Sequence, residues 1–176
     1  MRSTKGVTIM SHATISDGFF PIARRDGIFK ERVPDAYKSQ VNLSEPTVCS
    51  QCGAVFNQGH WQWGQAPENA HEAICPACHR IHDHYPAGFL TLKGEFFRAH
   101  REEIMRFVRN HEKHQRAEHP LKRIIAMEQK NGTTLVTTTS IHLARGIGEL
   151  LHHAYQGVLK LHFNAEQKLL RVNWTH

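Results

Sequence analysis

Four cysteines in two close pairs are the residues of this 176-residue chain whose types and spacing best fit a chemical role. Cys49 and Cys52 form one C-x2-C pair, and Cys75 and Cys78 form the second. The tight turn of such a pair directs both sulfurs at one point, so two pairs complete a tetrahedral four-sulfur site. The spacing predicts one Zn2+. Iron also accepts four thiolates, and a redox-active pair is an alternative that lacks its usual βαβ context.

The predicted metal has a structural role, because four thiolates fill the tetrahedron and leave no position for water. The histidines near the second pair are then not required as ligands. His79 and Arg80 directly follow the last cysteine and are expected on its rim, together with Trp63 of "GHWQWG". Arginine, histidine and exposed aromatic rings can contact phosphates and unpaired bases. The alternatives are ordinary surface residues, or a tryptophan packed on the metal module.

The charge of the chain favours an anionic partner. Its formal net charge is +6 and its pI is about 9.4, and 15 histidines add positive charge at acidic pH. Residues 94–117 have the periodicity of an amphipathic helix with one basic side. That side is either a solvated face or a row of phosphate contacts. If it binds phosphates, Arg145 from a later helix is expected to add a further contact. The candidate phosphate contacts are Arg98, Arg106, Arg109, Lys113, Arg116 and Arg145.

The order of patterns predicts an α+β chain in three parts. Residues 1–46 are an irregular basic arm, 47–92 a treble or zinc-ribbon module, and 93–176 a helix followed by a ββαββ antiparallel sheet. "KNG" and "NAEQ" are the expected hairpin turns. Ser140 is the expected N-cap of the intervening helix.

Several functional classes lack their signatures. The sequence has no long apolar run for a membrane helix and no apolar core of a signal peptide, so the cytoplasm is the expected location. It has no phosphate-binding loop, no G-x-S-x-G and no H-E-x-x-H. The metal site also commits all four cysteines. We therefore expect a non-enzymatic protein without a small-molecule substrate, although an enzyme stays an open alternative.

"CPACHR" followed by an α+β segment resembles the N-terminal part of the nonsense-mediated-decay protein three family, the large-ribosomal-subunit export adaptors. Cys75, Cys78, His79 and Arg80 match the family's C-x2-C-H-R knuckle. "TTSIHLAR" is similar to a later family stretch, through Thr138, Thr139, His142 and Arg145. The chain carries one cysteine quartet where the adaptors carry more, and it also resembles short bacterial zinc-ribbon proteins. The resemblance implies binding to the large ribosomal subunit or its RNA, in assembly, quality control or dormancy.

These observations predict a zinc-ribbon factor that binds the ribosome, its rRNA or another structured RNA, with no membrane partner. Five or six phosphate contacts would lower the affinity roughly a thousandfold between about 50 and 200 mM salt. A protein-interaction module with solvated basic faces and a DNA-binding zinc-ribbon adaptor are the alternatives.

Overall fold

The computed structural model describes Tyr37 and residues 43–176, so nearly all of the predicted N-terminal arm lies outside the described residues. The described chain contains two mixed sheets and four helices, which confirms the α+β class. The elements are β1 (Thr47–Cys49), β2 (Val55–Asn57), β3 (His60–Gln62), β4 (His71–Ala73), α1 (Pro76–His82), β5 (Gly88–Lys93), α2 (Glu95–Ala99), α3 (Arg101–Glu118), β6 (Ile124–Lys130), β7 (Thr133–Thr138), α4 (Ile141–Tyr155), β8 (Val158–Asn164) and β9 (Leu169–Thr175).

The smaller sheet carries the first cysteine pair. Its strand order is β3-β2-β1-β4, with β1 antiparallel to β2 and parallel to β4. The strands have only three residues each, so they offer little apolar surface for a core. The second cysteine pair lies at the start of α1 rather than on another strand turn. Knuckle, hairpin and helix together make a treble-clef arrangement, one of the two forms expected.

The larger sheet has the order β6-β7-β5-β9-β8 and packs one face against the helices. Burial alternates along β5, β7 and β9, as expected for strands with one face in a core. The core joins this inner face to α2, α3 and α4. Its largest fully buried side chain is Trp174, which Phe97 meets edge to face at 6.5 Å between ring centroids.

The sheet differs from the expected antiparallel one in its central pairing. β5 lies parallel to β9, and it is antiparallel to β7 on its other side. This strand, which the sequence analysis included in the cysteine segment, therefore lies at the centre of the larger sheet. The reason is the core that receives its apolar face, because Leu90 and Leu92 are fully buried among residues distant in sequence.

The local predictions in the C-terminal half agree with the structure, apart from one break. Asn131 and Gly132 have positive φ between β6 and β7, as a tight two-residue hairpin turn requires. Ser140 caps α4 by accepting a hydrogen bond from the His142 N–H at 3.2 Å. The helix expected over 94–117 is divided into α2 and α3 at His100, where φ is −112° and ψ is 21°.

Gly148 marks the closest approach of α4 to the sheet, and a methyl group there should destabilise the fold. A Cβ at Gly148 would lie 2.6 Å from Cγ1 of Val172 and 3.0 Å from Cδ1 of Leu159. We expect Gly148→Ala to lower the free energy of unfolding in urea by about 1–3 kcal/mol, because the core is overpacked.

Gly146→Ala is the matched control for that prediction. A Cβ at Gly146 would meet only Nε2 of His111, at an ordinary 3.6 Å. Alanine also has the higher helix propensity, by about 1 kcal/mol, so this variant should be neutral or more stable. Equal effects of the two substitutions would contradict the close helix–sheet packing.

Candidate metal centre and nucleic-acid interface

Local backbone structure brings the four cysteines together. Cys49 ends β1, and its N–H donates to the Ala54 carbonyl at 2.7 Å to close the first turn. Gly53 has φ +75° in that turn, a conformation that glycine adopts without strain. Cys75 is the N-cap of α1, and its sulfur accepts from the Cys78 N–H at 3.4 Å. Both pairs thus hold their sulfurs at turns where backbone N–H groups also point inward.

The distances between the sulfurs fit a single tetrahedral ion. All four Sγ atoms lie within 4.8 Å of one another, and the Cys49–Cys78 and Cys52–Cys75 sulfur distances are both 3.8 Å. A tetrahedron with metal–sulfur bonds of about 2.3 Å has sulfur–sulfur edges of about 3.8 Å. The cysteines form no disulfide. The cluster can therefore hold one metal ion, as the spacing predicted.

The thiols differ in their readiness to lose a proton. Burial raises the pKa of Cys49, but hydrogen bonds, led by the N–H groups of Cys75 and Gln51, outweigh burial and lower it to about 7. Burial chiefly, and the charges of the other thiols in addition, raise the pKa of Cys75 well above its usual range. One cysteine can therefore ionise near neutral pH, whereas a centre of four thiolates needs a cation to form.

Arg123 is a residue of this centre that the sequence analysis missed. It lies between α3 and β6, is only 5% exposed, and donates from Nη1 to the Cys78 sulfur at 3.3 Å. Its Nε donates to the Pro120 carbonyl at 2.7 Å, and its backbone N–H donates to Oγ1 of Thr139 at 2.9 Å. The segment between α3 and β6 thus places a cation directly against the cysteine cluster.

The sulfur centre supplies the negative charge that the buried guanidinium needs. In the part of the chain that the structure describes, no carboxylate lies within ion-pair distance of Arg123. Burial acts to lower its pKa, but the hydrogen bonds and charges of Cys52 and Cys78 outweigh burial and raise it. No sequence signal distinguishes Arg123 from the half-buried Lys122 beside it, because the contact spans 45 residues of chain.

The basic side of α3 is exposed as expected. Arg98 is also exposed, on α2, and pairs with Glu95 at 3.6 Å. Trp63 is 38% exposed, and its indole N–H donates to the Arg116 carbonyl at 2.6 Å, which places the ring at the C-terminal end of α3. We call the following residues the α3 basic face: Arg106, Arg109, Lys113 and Arg116.

Two of the predicted contact residues, Arg80 and Arg145, are buried, so their prediction as exposed phosphate contacts is wrong. Arg80 is 4% exposed and donates to the Tyr85 carbonyl at 3.1 Å, and its guanidinium lies 4.5 Å from the centroid of the Tyr37 ring. Arg145 is 9% exposed and pairs with Glu149 at 2.7 Å. The amphipathic pattern fixes the angle of a side chain around a helix but not its depth. Neither guanidinium is displayed to a phosphate in this structure.

His79 remains at the surface next to the metal module. It lies on α1 and is exposed, with its ring centroid 6.5 Å from that of Tyr37. The structure therefore brings Trp63 to the α3 basic face and leaves His79 exposed on the cysteine helix. None of the helices in the described residues combines the length and apolar character needed to cross a membrane.

No protein-family model, curated protein or solved structure matches the chain. The resemblance to the ribosomal export adaptors stays a prediction.

Replacing Cys75 by serine should abolish metal binding. Cys75 is fully buried and provides both a ligand and the cap of α1, and the small sheet has little other core. We expect Cys75→Ser to contain no stoichiometric metal by elemental analysis and to lose amide protection over the cysteine module. The larger sheet, with its own core, should keep its protection. Ser50→Ala, on the exposed first turn, is the control, and retention of one metal per Cys75→Ser chain would contradict the four-sulfur site.

Arg123→Met should weaken metal binding without removing a ligand. The substitution keeps an apolar chain in the buried space but leaves the sulfur centre without its neighbouring cation. We expect affinity to fall about 10- to 100-fold in competition with a chromophoric chelator. Lys122→Met is the matched control, because Lys122 donates instead to Gln115 at 2.8 Å. Equal affinities of the two variants would rule out the proposed electrostatic role.

Proposed function

We propose that this chain is a non-enzymatic, cytoplasmic zinc protein that binds the ribosome, specifically the large subunit or its structured RNA. The observation that carries the proposal is the α3 basic face, which is exposed along one helix and ends beside a half-exposed tryptophan fixed to the helix terminus.

Zinc is the proposed ion, and its role is structural. Two C-x2-C pairs are the common ligand pattern of structural zinc, and Zn2+ accepts a tetrahedral four-thiolate shell without redox chemistry. Four thiolates around Zn2+ leave a centre of net negative charge, which Arg123 partly neutralises from the larger domain. The ion would therefore hold the position of the small sheet relative to α3.

The α3 basic face has the extent of a phosphate-binding surface. Arg106 and Arg116 are ten residues apart, so the face extends about 15 Å along the helix. The acidic Glu102 nearby pairs with Arg101 rather than with a member of the face. Arginine and lysine contacts of this kind position a protein on a nucleic-acid backbone without reading its sequence. Structured RNA, with closely spaced phosphates, suits such a surface.

Trp63 adds a contact of another kind at the end of the face. Its indole N–H is satisfied by the Arg116 carbonyl, so the ring is held in place while part of it stays exposed. A ring fixed in this way can stack on a base that is unpaired at a loop or helix end. His79 provides a further exposed polar group on the cysteine module. Arg80 and Arg145 are left out of the proposed surface because they are buried.

Binding through the α3 basic face should depend strongly on salt. If Arg98 and the four residues of the face each contact a phosphate, affinity for purified large subunits should fall about 500-fold between about 50 and 200 mM salt. Sucrose-gradient sedimentation from lysate should show the chain with the large subunit at low salt and at the top of the gradient at high salt.

A double substitution tests the surface itself. We expect Arg109→Ala with Lys113→Ala to weaken subunit binding and to reduce the salt slope by about two units. Lys122→Ala with Lys168→Ala removes the same charge from residues outside that face and serves as the control. Salt-independent sedimentation at the top of the gradient would favour a protein-interaction module instead. Tighter binding to duplex DNA than to structured RNA would favour a DNA adaptor.

A further inference from the structure

Among the described residues, the larger sheet has a second face on which no helix packs. Along β5, β7 and β9 the residues that alternate with the buried core positions are partly or fully exposed. The strand register places the corresponding side chains of β6 and β8 on the same side. We call this side the open sheet face. The aromatic and basic side chains on this face include Phe89, Lys93, Lys130, Lys160, His162 and Arg171.

Phe89 and Arg171 form a cation–π pair in the middle of the open sheet face. Phe89 on β5 is in register with Arg171 on β9, which is in register with His162 on β8. Neighbouring strands are about 4.8 Å apart, so the three side chains form one row across the sheet. The Arg171 guanidinium lies 4.9 Å from the centroid of the Phe89 ring. Rings and guanidinium planes arranged in this way are surfaces on which bases stack.

The charge of the open sheet face is strongly one-sided. All four lysines and arginines of the five strands lie on it, and Glu128 is the only acidic residue of those strands. Within the residues that the structure describes, none of these four cations forms an ion pair. Three of the cations are lysines at the surface around the central row, where they can meet a polyanion.

We infer that the open sheet face binds single-stranded nucleic acid, with bases on the Phe89–Arg171 row and phosphates on the surrounding lysines. A duplex hides the flat surfaces of its bases, whereas a single strand exposes them to such a row. The inference rests on the proposed function for its class of partner, but the surface is separate. The α3 basic face belongs to the helical layer, which packs on the opposite side of the sheet.

An acidic protein segment is the other polyanion that four cations could attract. It would use the lysines, but it would gain nothing specific from a phenylalanine ring in contact with a guanidinium. The two occupants therefore differ in their dependence on the ring of Phe89. Substitution of Phe89 therefore distinguishes the two occupants, whereas removal of positive charge does not.

Fluorescence anisotropy with the zinc-loaded full chain tests the inference. The probes are a labelled oligouridine of about twelve nucleotides, a single-stranded DNA of equal length and a fully paired RNA hairpin. We expect Lys160→Ala with Arg171→Ala, and separately Phe89→Leu, each to weaken single-strand binding at least about fivefold. Phe89→Tyr keeps the ring and should keep the affinity. None of these changes should alter binding of the paired hairpin.

The α3 double variant Arg109→Ala with Lys113→Ala separates this inference from the proposed function. It should weaken hairpin and ribosome binding and leave single-strand binding intact. If the sheet variants bind oligouridine as the unmodified chain does, the inference fails while the proposed function stands. If hairpin and ribosome binding are absent but the sheet-dependent single-strand binding persists, the proposed function fails and the sheet site stands.

The probes also separate the possible strands. Tighter binding of the RNA strand supports RNA as the partner, and equal binding of both strands supports a site that reads bases and phosphates but not the sugar. A polyglutamate peptide that binds as tightly as oligouridine and is equally weakened by Phe89→Leu would overturn the nucleic-acid assignment.

Discussion

A contact between a buried arginine and the four-sulfur centre joins the small sheet to the rest of the structure. Arg123 directly precedes β6 of the larger sheet, and its guanidinium lies 3.3 Å from the sulfur of Cys78. A buried cation is stable only with an opposite charge nearby, and the cysteines supply that charge fully when a metal keeps them as thiolates. Metal binding and the packing of the two sheets are therefore energetically linked.

That contact also determines where Trp63 lies relative to the α3 basic face. Leu121, close to Arg123 in sequence, packs against the cysteine cluster, and its carbonyl accepts a hydrogen bond from Thr139 at 2.6 Å. The small sheet is thus attached at the end of α3, where the Trp63 indole also donates to the Arg116 carbonyl. A chain without metal would lose the fixed position of that ring, while the open sheet face would stay on a sheet with its own core.

The sequence predicts local features well because short-range chemistry determines them. The C-x2-C pairs, the Asn131 turn and the Ser140 cap each involve residues within a few positions of one another. The parallel pairing of β5 and the role of Arg123 depend instead on contacts between distant residues, which composition and periodicity do not encode. The burial of a side chain is the other property that the sequence does not predict. Helical periodicity distinguishes the sides of α4, but it does not reveal that Arg145 is buried against Glu149.

X-ray absorption at the metal edge, with elemental analysis of the purified chain, tests the central claim most directly. We predict one zinc per chain surrounded by four sulfurs at about 2.3 Å, with no nitrogen or oxygen ligand. Iron in the same shell would keep the four-sulfur geometry and contradict the choice of zinc. A shell containing histidine nitrogen, or less than one metal per folded chain, would contradict the four-sulfur site. It would also remove the basis for the role of Arg123 and for the attachment of the small sheet.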